Sequence, residues 1–428
     1  MKNSYGFDTL SIHAGFTPDA QTHSGSPAIY QTTAYAFDST EHAARLFELK
    51  EAGNIYTRLQ NPTSDVFEQR MAALDGGVGA LAFSSGHAAM VGAFLNLAEA
   101  GDEIVASIAI YGGAINMMGV TLGRLGIKVH FVDPDDLQAW ENAINDRTKC
   151  LFTEVVGNPN ANVADIPAIA EIAHRHGVPL IVDGTFVTPY LFKPIDFGAD
   201  IVVYSATKFI GGHASSMGGV VVDSGKFRFL DNPRFPRYNE PDESYHGVVF
   251  AKDFAGSEFI TRLRTLMMRD LGACPSPFNS FLFINGLETL SLRMRKHCDN
   301  AKAVAEFLSG HKKVKKVNYP TLPDSPYKAL ADKLLPRGAG AVFTIELDGD
   351  RRDGGNFIDS LQLFRNVANV GDVRSLVIHP ASTTHSQLTA EQLRESGITE
   401  GTVRLSIGLE DAEDLIADLD QALNKAIR

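Results

Sequence analysis

The feature that most constrains the fold is a series of seven short apolar runs between residues 80 and 222, most of them separated by segments of helical length. The runs are ALAF (80–83), EIVAS (103–107), KVHFV (128–132), CLFTEVV (150–156), PLIVD (179–183), DIVVYS (200–205) and GGVVV (218–222). Strands that are apolar on both faces and are linked by helices are typical of a mostly parallel sheet covered by helices on both sides. The sequence therefore predicts an α/β domain with such a sheet.

The spacing of apolar residues predicts helices in the segments around this sheet. SDVFEQRMAALDG (64–76) predicts a helix with Ser64 as its N-cap, and IPAIAEIAHRHG (166–177) predicts another. After residue 277, strand-like runs alternate with helical segments such as LQLFRNVANV (361–370). We therefore expect three parts, which are an N-terminal arm (1–63), an α/β domain (64–262) and a smaller C-terminal α+β domain (263–428). The irregular stretch 223–260 is too long for a simple connector and is expected to be functional.

Composition excludes several classes of protein. The 428 residues carry a net charge of −12, which disfavours a general nucleic-acid binder or an anionic-membrane binder. The three cysteines, Cys150, Cys274 and Cys298, are too few and too scattered for a disulfide framework or a metal site. We find no secretory leader and no apolar run of membrane-spanning length, so a cytoplasmic location is expected.

Polar side chains stand where several of the predicted strands end, which is where ligands bind in open α/β sheets. Asp183 ends one run, Asn158 follows another, and Lys208 follows a third. Lysine is seldom placed at the end of a buried strand because its ammonium loses hydration there. Taken singly, Asp183 is also compatible with a turn residue or a salt-bridge partner, and Lys208 with pairing to a carboxylate.

Two further segments, residues 84–86 and Tyr111, indicate which ligand these strand ends could bind. Ser84-Ser85-Gly86 leads from a strand into an apolar helix, as either a tight turn or a cradle for phosphate at the helix N-terminus. Tyr111 is either a core residue or a flat ring that covers another ring. A phosphate cradle, a buried carboxylate, an aromatic face and a lysine that condenses with an aldehyde are together what pyridoxal 5′-phosphate (PLP) requires. The hypothesis is that Lys208 carries this cofactor.

These segments resemble the Cys/Met-metabolism family of fold-type I PLP-dependent enzymes. The matching stretches are YTRLQNPT (56–63), SSGHAA (84–89), Tyr111-Gly112-Gly113, Asn158-Pro159, VDGTFVTPYL (182–191), SATKFIGGH (205–213), GLETLSLRMRKH (286–297) and RLSIGLED (404–411). They cover nearly the whole chain. The resemblance implies a fold-type I transferase, with a mostly parallel seven-stranded sheet between helices, a smaller C-terminal α+β domain and an N-terminal arm.

The resemblance also implies a role for each matching residue. Lys208 would form a Schiff base with the cofactor, Asp183 would face the pyridinium nitrogen, and Tyr111 would stack on the ring. The other implied cofactor ligands are Ser85, Gly86, His87, Asn158, Ser205 and Thr207, with Tyr56 and Arg58 contributed by a neighbouring subunit. Arg404, Ser375 and Tyr56 would bind the substrate, and the implied catalytic residues are Lys208, Tyr111 and Tyr56.

Within the family, the chain is most similar to the branch of O-acetylhomoserine sulfhydrylases, through SATKFIGGH, the insertion at 223–260 and GDVRSLVIHPASTTHSQ (371–387). This branch implies replacement of the acetate of O-acetyl-L-homoserine by sulfide in methionine biosynthesis, in a homotetramer whose active sites are shared between two subunits. The sequence leaves open an O-succinyl donor, and methanethiol, cysteine or a protein-bound thiocarboxylate as the acceptor.

Three alternatives were weighed against this expectation. Methionine γ-lyases usually have a cysteine where this chain has Gly113, and cystathionine-handling members such as cystathionine γ-synthase often have a glutamate where it has Arg374. A non-catalytic PLP-binding relative is disfavoured because Lys208, Asp183 and Arg404 are all present. One residue departs from the sulfhydrylase pattern, since Gly184 replaces a common asparagine and is expected to loosen the packing beside Asp183.

Overall fold

The computed structural model describes residues 5–383 and 398–426, which form two β-sheets surrounded by helices. The strands of the large sheet are β1 (Gly79–Phe83), β2 (Glu103–Ser107), β3 (Lys128–Val132), β4 (Thr148–Glu154), β5 (Leu180–Asp183), β6 (Ile201–Tyr204) and β7 (Gly219–Asp223). They lie in the order β1-β7-β6-β5-β4-β2-β3, and β7 is antiparallel to both of its neighbours while the other pairs are parallel. The predicted mostly parallel seven-stranded sheet is confirmed.

The small sheet lies in the C-terminal part of the chain. Its strands are β8 (Val314–Asn318), β9 (Val342–Leu347), β10 (Arg365–Asn366), β11 (Leu376–Ile378) and β12 (Thr402–Ser406), in the order β10-β11-β12-β9-β8. This sheet with its helices confirms the smaller α+β part of the predicted fold. The boundaries predicted at residues 63 and 262 stay predictions, and the second falls inside a continuous helical run from 258 to 271.

The α-helices of the described residues precede, link and follow these strands. They are α1 (Phe7–His13), α2 (Thr40–Phe47), α3 (Pro62–Asp75), α4 (Gly86–Leu97), α5 (Gly112–Asn116), α6 (Leu137–Ala143), α7 (Ile166–Arg175), α8 (Thr188–Leu191), α9 (Pro236–Asn239), α10 (Phe250–Asp253), α11 (Glu258–Arg262), α12 (Arg269–Leu271), α13 (Pro277–Glu288), α14 (Leu290–Ser309), α15 (Lys328–Leu334), α16 (Arg351–Ser360) and α17 (Ala412–Ala426). Within residues 5–383 and 398–426, no helix combines the length and the apolar character that crossing a bilayer requires.

Two apolar cores cover the two faces of the large sheet. Successive side chains of a strand point to opposite faces, so Leu151 of β4 lies in one core and Phe152 in the other. The first core includes Phe67 of α3 and continues into the small sheet at Phe343, whereas the second includes Phe94 of α4. Burial on both faces explains why the strands read as unbroken apolar runs.

The N-cap predicted for α3 is wrong. The helix begins earlier, because Asn61 accepts a hydrogen bond from the Thr63 N–H and Pro62 occupies the first helical position, where proline's fixed φ suits a helix start. Ser64 lies inside the helix instead, with its Oγ 2.8 Å from the Oγ of Ser280 on α13.

The helix predicted within LQLFRNVANV is also wrong. Asp418 of α17 accepts hydrogen bonds from the N–H groups of residues 362, 363 and 364, at 2.9–3.3 Å. These N–H groups are therefore held by a carboxylate from far along the chain, and the segment continues as β10 beside β11. Residues 384–387 of the similar stretch 371–387 lie outside the described residues.

The insertion at 223–260 packs on the end of α4. The rings of Phe229 and Tyr238 stack with centroids 4.1 Å apart, and the Tyr238 hydroxyl donates to the Asn96 carbonyl at 3.2 Å. Offset stacking and a satisfied hydroxyl are what a buried tyrosine needs. The insertion is thus an anchored part of the second core, and its predicted functional role stays a prediction.

The loosened packing expected at Gly184 is wrong. A Cβ at this position would lie 2.5 Å from the ring of Tyr204, so the ring fills the space that a side chain would take. The Tyr204 hydroxyl donates to Asp75 Oδ2 at 2.9 Å, which fixes the ring beneath Gly184. Asp183 therefore stands on a tightly packed turn.

This packing predicts that Gly184→Ala lowers the free energy of unfolding by about 1–3 kcal/mol, the usual cost of overpacking. Chemical denaturation measures it. In a double-mutant cycle, Tyr204→Leu should remove part of this cost. Gly355→Ala is the matched control, because a Cβ there meets no atom within 4 Å. Equal effects at the two glycines would contradict the packing argument.

Candidate active site

Three chemically reactive side chains meet at the carboxyl edge of the large sheet. Glu154 ends β4 and Asp183 ends β5, and the two residues are partners in the strand register. Lys208 follows β6, the next strand along. The topology thus brings together the lysine and the carboxylate that the sequence predicts, along with a glutamate that it did not.

Lys208 is held in a partly buried position. Its Nζ donates a hydrogen bond to Asn369 Oδ1 at 2.6 Å. Burial, and then the charge of Arg404, lower the pKa of Lys208 to about 8. Both effects disfavour the ammonium form, so the free amine that reacts with an aldehyde becomes more accessible near neutral pH.

Asp183 lies at the end of β5, the strand that pairs with β6. Its Oδ1 accepts a hydrogen bond from the Thr185 N–H at 2.8 Å. Burial raises the pKa of Asp183 to about 6, while the hydrogen bonds from Thr185 and the nearby His87 act in the opposite direction. A proton carried by a ring nitrogen would stabilise the ionised carboxylate further.

A small-residue cradle lies at the start of α4. Ser85 caps the helix by accepting the Ala88 N–H at 3.1 Å. A Cβ on Gly86 would lie 2.7 Å from the Cβ of Ser205, so only glycine lets these segments approach. The free N–H groups of a helix start are a favourable site for phosphate. Nearby, the Thr207 hydroxyl donates to the Gly218 carbonyl at 3.2 Å.

Tyr111 presents its ring beside the cradle. The ring is 45% exposed and meets His87 edge-on, with centroids 5.6 Å apart. Its backbone N–H donates to Glu154 Oε1 at 2.8 Å. Tyr111 is therefore not a core residue, and its exposed ring is free to cover a ligand.

Arg404 reaches the site from β12 of the small sheet. Its Nη1 donates to Asn158 Oδ1 and its Nη2 to the Asn369 carbonyl, both at 3.3 Å. Burial lowers the pKa of Arg404 to about 10, so the guanidinium remains charged at neutral pH. A buried guanidinium with long, weak partners is well suited to a bidentate carboxylate.

Ser375 lies outside this group of contacting side chains. It is fully buried, and its hydroxyl donates to Glu410 Oε2 at 3.0 Å while accepting the Gly408 N–H at 2.8 Å. Its predicted role toward substrate stays a prediction. Asn369, six positions earlier and not predicted, is the side chain of this segment that contacts Lys208.

The arm places Tyr56 and Arg58 on the surface. Tyr56 is 41% exposed, and the Arg58 guanidinium lies over its ring, 5.2 Å from the centroid. Asn61 ties the arm to the start of α3 by donating to the Tyr30 carbonyl at 2.8 Å. The pair is therefore presented outward, as a contribution to another subunit requires.

These contacts predict different effects for two variants. Asn369→Ala removes the acceptor that holds the Lys208 amine, and a hydrogen bond to a charged group contributes about 1.5–3 kcal/mol. We expect kcat to fall roughly tenfold or more. Ser375→Ala should mainly lower the free energy of unfolding, because it removes the hydroxyl that donates to Glu410 Oε2 and accepts the Gly408 N–H. Steady-state kinetics and denaturation of both variants distinguish the two positions, and the reverse pattern would contradict the geometry.

PLP fits this arrangement. The cradle opened by Gly86 would hold the phosphate with Ser85, Ser205 and Thr207, and Asp183 would face the ring nitrogen. Lys208, with its lowered pKa, would bond to the aldehyde. PLP supplies a ring that accepts electrons from the substrate.

Comparisons with known proteins agree with this geometry. The chain is 48% identical to the O-acetyl-L-homoserine sulfhydrylase of Leptospira meyeri over 432 residues, covering 99% of this chain and 98% of the relative. It is 49% identical to the O-acetyl-L-homoserine sulfhydrylase of Corynebacterium glutamicum, covering 98% and 97%. The homocysteine synthase of Schizosaccharomyces pombe is 48% identical, with 98% of each chain covered.

A solved structure is similar over the whole chain. It is a Campylobacter jejuni protein described as an O-acetylhomoserine (thiol)-lyase, 42% identical, with a TM-score of 0.95, covering 98% of this chain and 100% of that one. It carries a lysine in the form of N′-pyridoxyl-lysine-5′-monophosphate. The model of the Cys/Met metabolism PLP-dependent enzymes matches residues 8–424. The chain therefore belongs to the family of Cys/Met metabolism PLP-dependent enzymes.

Proposed function

We propose that this protein catalyses a γ-replacement in which O-acetyl-L-homoserine and sulfide give L-homocysteine and acetate. The carbon–oxygen bond to acetate breaks, and a carbon–sulfur bond to hydrosulfide forms at the same carbon. The observation that carries the proposal is that Asn369 contacts both Lys208, through its Oδ1, and Arg404, through its carbonyl, so that the amine and the guanidinium lie in one site. The names of the relatives, which include O-acetyl-L-homoserine sulfhydrylase and homocysteine synthase, support the choice of substrate.

Several residues of the chain have separate roles in the proposed reaction. Arg404 grips the α-carboxylate of the substrate as a bidentate donor. Lys208, as a free amine, removes and returns protons on the substrate carbons, and a positioned base of this kind contributes about 10²–10⁴-fold. Asp183 would stabilise a positive charge on the ring nitrogen of PLP, and Tyr111 would cover the ring. Asn369 restrains the amine of Lys208 when that amine is free.

A competing γ-lyase activity is disfavoured because position 113 holds a glycine where methionine γ-lyases usually have a cysteine. A Cβ on Gly113 would lie 2.5 Å from the Tyr111 ring, so a side chain here would require this exposed ring to move. Arg374, where cystathionine-handling members often have glutamate, pairs with Asp372 through a contact of 3.0 Å.

The proposal includes a shared active site. Tyr56 and Arg58 of one subunit would reach the phosphate bound by its neighbour, and we propose a homotetramer with paired sites. The exposed position of Tyr56 on the arm supports this arrangement. We also propose a cytoplasmic location, which the free cysteines Cys150, Cys274 and Cys298 support.

The test is a matrix of substrates. Purified protein with PLP is incubated with O-acetyl- or O-succinyl-homoserine and with sulfide, methanethiol or cysteine, and products are identified by mass spectrometry. We expect homocysteine from the acetyl donor and sulfide as the fastest reaction. Faster formation of cystathionine, or release of 2-oxobutanoate that outpaces homocysteine formation when sulfide is present, would overturn the proposed function and leave the family unaffected.

A further inference from the structure

Glu154 is an acidic residue at the carboxyl end of β4 that the proposed chemistry does not use. It ends β4, the strand whose residues are all buried, and only 8% of its surface is exposed. Residues such as glutamate are almost never buried at this level without partners. The partners of Glu154 therefore indicate what it does.

The Glu154 carboxyl joins the ends of three strands. Its Oε1 accepts the N–H of Tyr111, in the loop after β2, at 2.8 Å. The N–H of Asn158, in the loop after its own strand, lies close enough to this carboxyl to favour its ionised form. In the register of the sheet it stands directly beside Asp183 at the end of β5.

The two loops that Glu154 joins are themselves in close contact. A Cβ on Gly157 would lie 2.5 Å from the Ala109 carbonyl, so the loop after β2 and the loop after β4 touch without intervening side chains. Tyr111 and Asn158 are the residues of these loops that are assigned to the cofactor ring. A single carboxyl thus sets where both of them stand relative to Asp183.

We propose that Glu154 is a positioning residue of the cofactor site, whose carboxyl fixes Tyr111 and Asn158 against Asp183. This inference rests on the proposed assignment of those three residues to PLP. It assigns Glu154 no contact with the substrate.

The charge state of Glu154 determines which replacement should be tolerated. Burial, and then the charge of Asp183, raise the pKa of Glu154 well above its ordinary value. The pKa of Asp183 is raised only to about 6, so in this pair Glu154 holds a proton more readily than Asp183 does. Glutamine resembles a protonated glutamate in shape and in combining a donor group with an acceptor oxygen.

The experiment uses the full-length chain freed of PLP and titrated with PLP, with dissociation constants measured by calorimetry. Glu154→Ala should weaken PLP binding by about tenfold or more, because two ring-covering residues lose their anchor. Glu154→Gln should recover most of this loss. Thermal unfolding of each PLP-free variant shows how far the fold alone is affected.

Asp223→Ala is the matched control. Asp223 ends β7 at the opposite edge of the sheet, is 5% exposed, and accepts the N–H groups of residues 225 and 260 at 2.9 and 3.2 Å. Its loss should lower the unfolding temperature without weakening PLP binding. The proposal is overturned if Glu154→Ala binds PLP as tightly as the unaltered chain, or if Glu154→Gln binds as weakly as Glu154→Ala.

A variant that does not fold, and a chain that binds PLP without forming homocysteine, can each be distinguished from failure of the proposed role of Glu154. If the PLP-free Glu154→Ala variant does not fold, Glu154→Leu replaces it, since leucine fills the space without accepting a hydrogen bond, and the same comparison with Glu154→Gln applies. If the unaltered chain binds PLP but does not form homocysteine, the proposed function fails while the role of Glu154 is still decided by the dissociation constants.

Discussion

Lys208→Ala is expected to reduce kcat by at least about 10³-fold, because it removes both the covalent link to the cofactor and the proton-transferring amine. The lost amine is also the group whose pKa is lowered by burial and by the charge of Arg404. The protein should still bind PLP through the cradle and Asp183, but without a covalent bond. Turnover assays and mass spectrometry after borohydride reduction measure the two effects.

The control is a second buried lysine. Lys149 is 9% exposed, donates to the Arg234 carbonyl and pairs with Asp102 at 3.4 Å, close to where β4 begins and away from the candidate site. Lys149→Ala should lower stability and leave covalent attachment of PLP intact. Turnover of Lys208→Ala within tenfold of the unaltered enzyme would show that Lys208 is not the catalytic amine.

Arg404→Ala is expected to lower kcat/KM for the amino-acid substrate by roughly 30- to 5,000-fold, corresponding to about 2–5 kcal/mol for truncating one member of a buried charge pair. Most of the loss should appear in KM, since the carboxylate is bound before and during the reaction. Arg404→Lys keeps the charge but loses the planar pair of donors, so it should recover only part of the loss.

Arg262→Ala provides the comparison for Arg404. Arg262 is 8% exposed and donates to the Asn96 carbonyl at 2.7 Å, beneath the insertion. Its removal should lower the free energy of unfolding and leave KM unchanged. An Arg404→Ala variant with normal KM would show that the α-carboxylate is bound elsewhere.

The large sheet could be predicted from the sequence because each buried strand is an unbroken apolar run. The predicted 103–107 and 128–132 coincide with β2 and β3. Lys208 and Asp183 could be predicted for the same reason, since a polar residue at the end of such a run needs an explanation. Their convergence follows from the topology of parallel strands.

The small sheet and its site residues were harder to predict. The apolar spacing of 361–370 suggests a helix, and only the distant Asp418 diverts its backbone. Asn369 was missed because it lies in this misassigned segment. Glu154 provides a usable signal, an acidic residue at the end of a buried apolar run, but its partner Tyr111 lies 43 positions earlier and cannot be inferred from that run. Contacts between residues far apart in sequence explain these errors.

The two sheets contribute residues with different roles to the candidate site. The large sheet carries the residues assigned to the cofactor, whereas the segment 365–376 and β12 carry Asn369, which contacts Lys208, and Arg404, which is proposed to bind the substrate carboxylate. Changes in the C-terminal part can therefore alter which amino acid is accepted while the cofactor chemistry is preserved. Relatives with different substrates are expected to diverge mainly there, so engineering of acceptor or donor preference is best directed at that part of the chain.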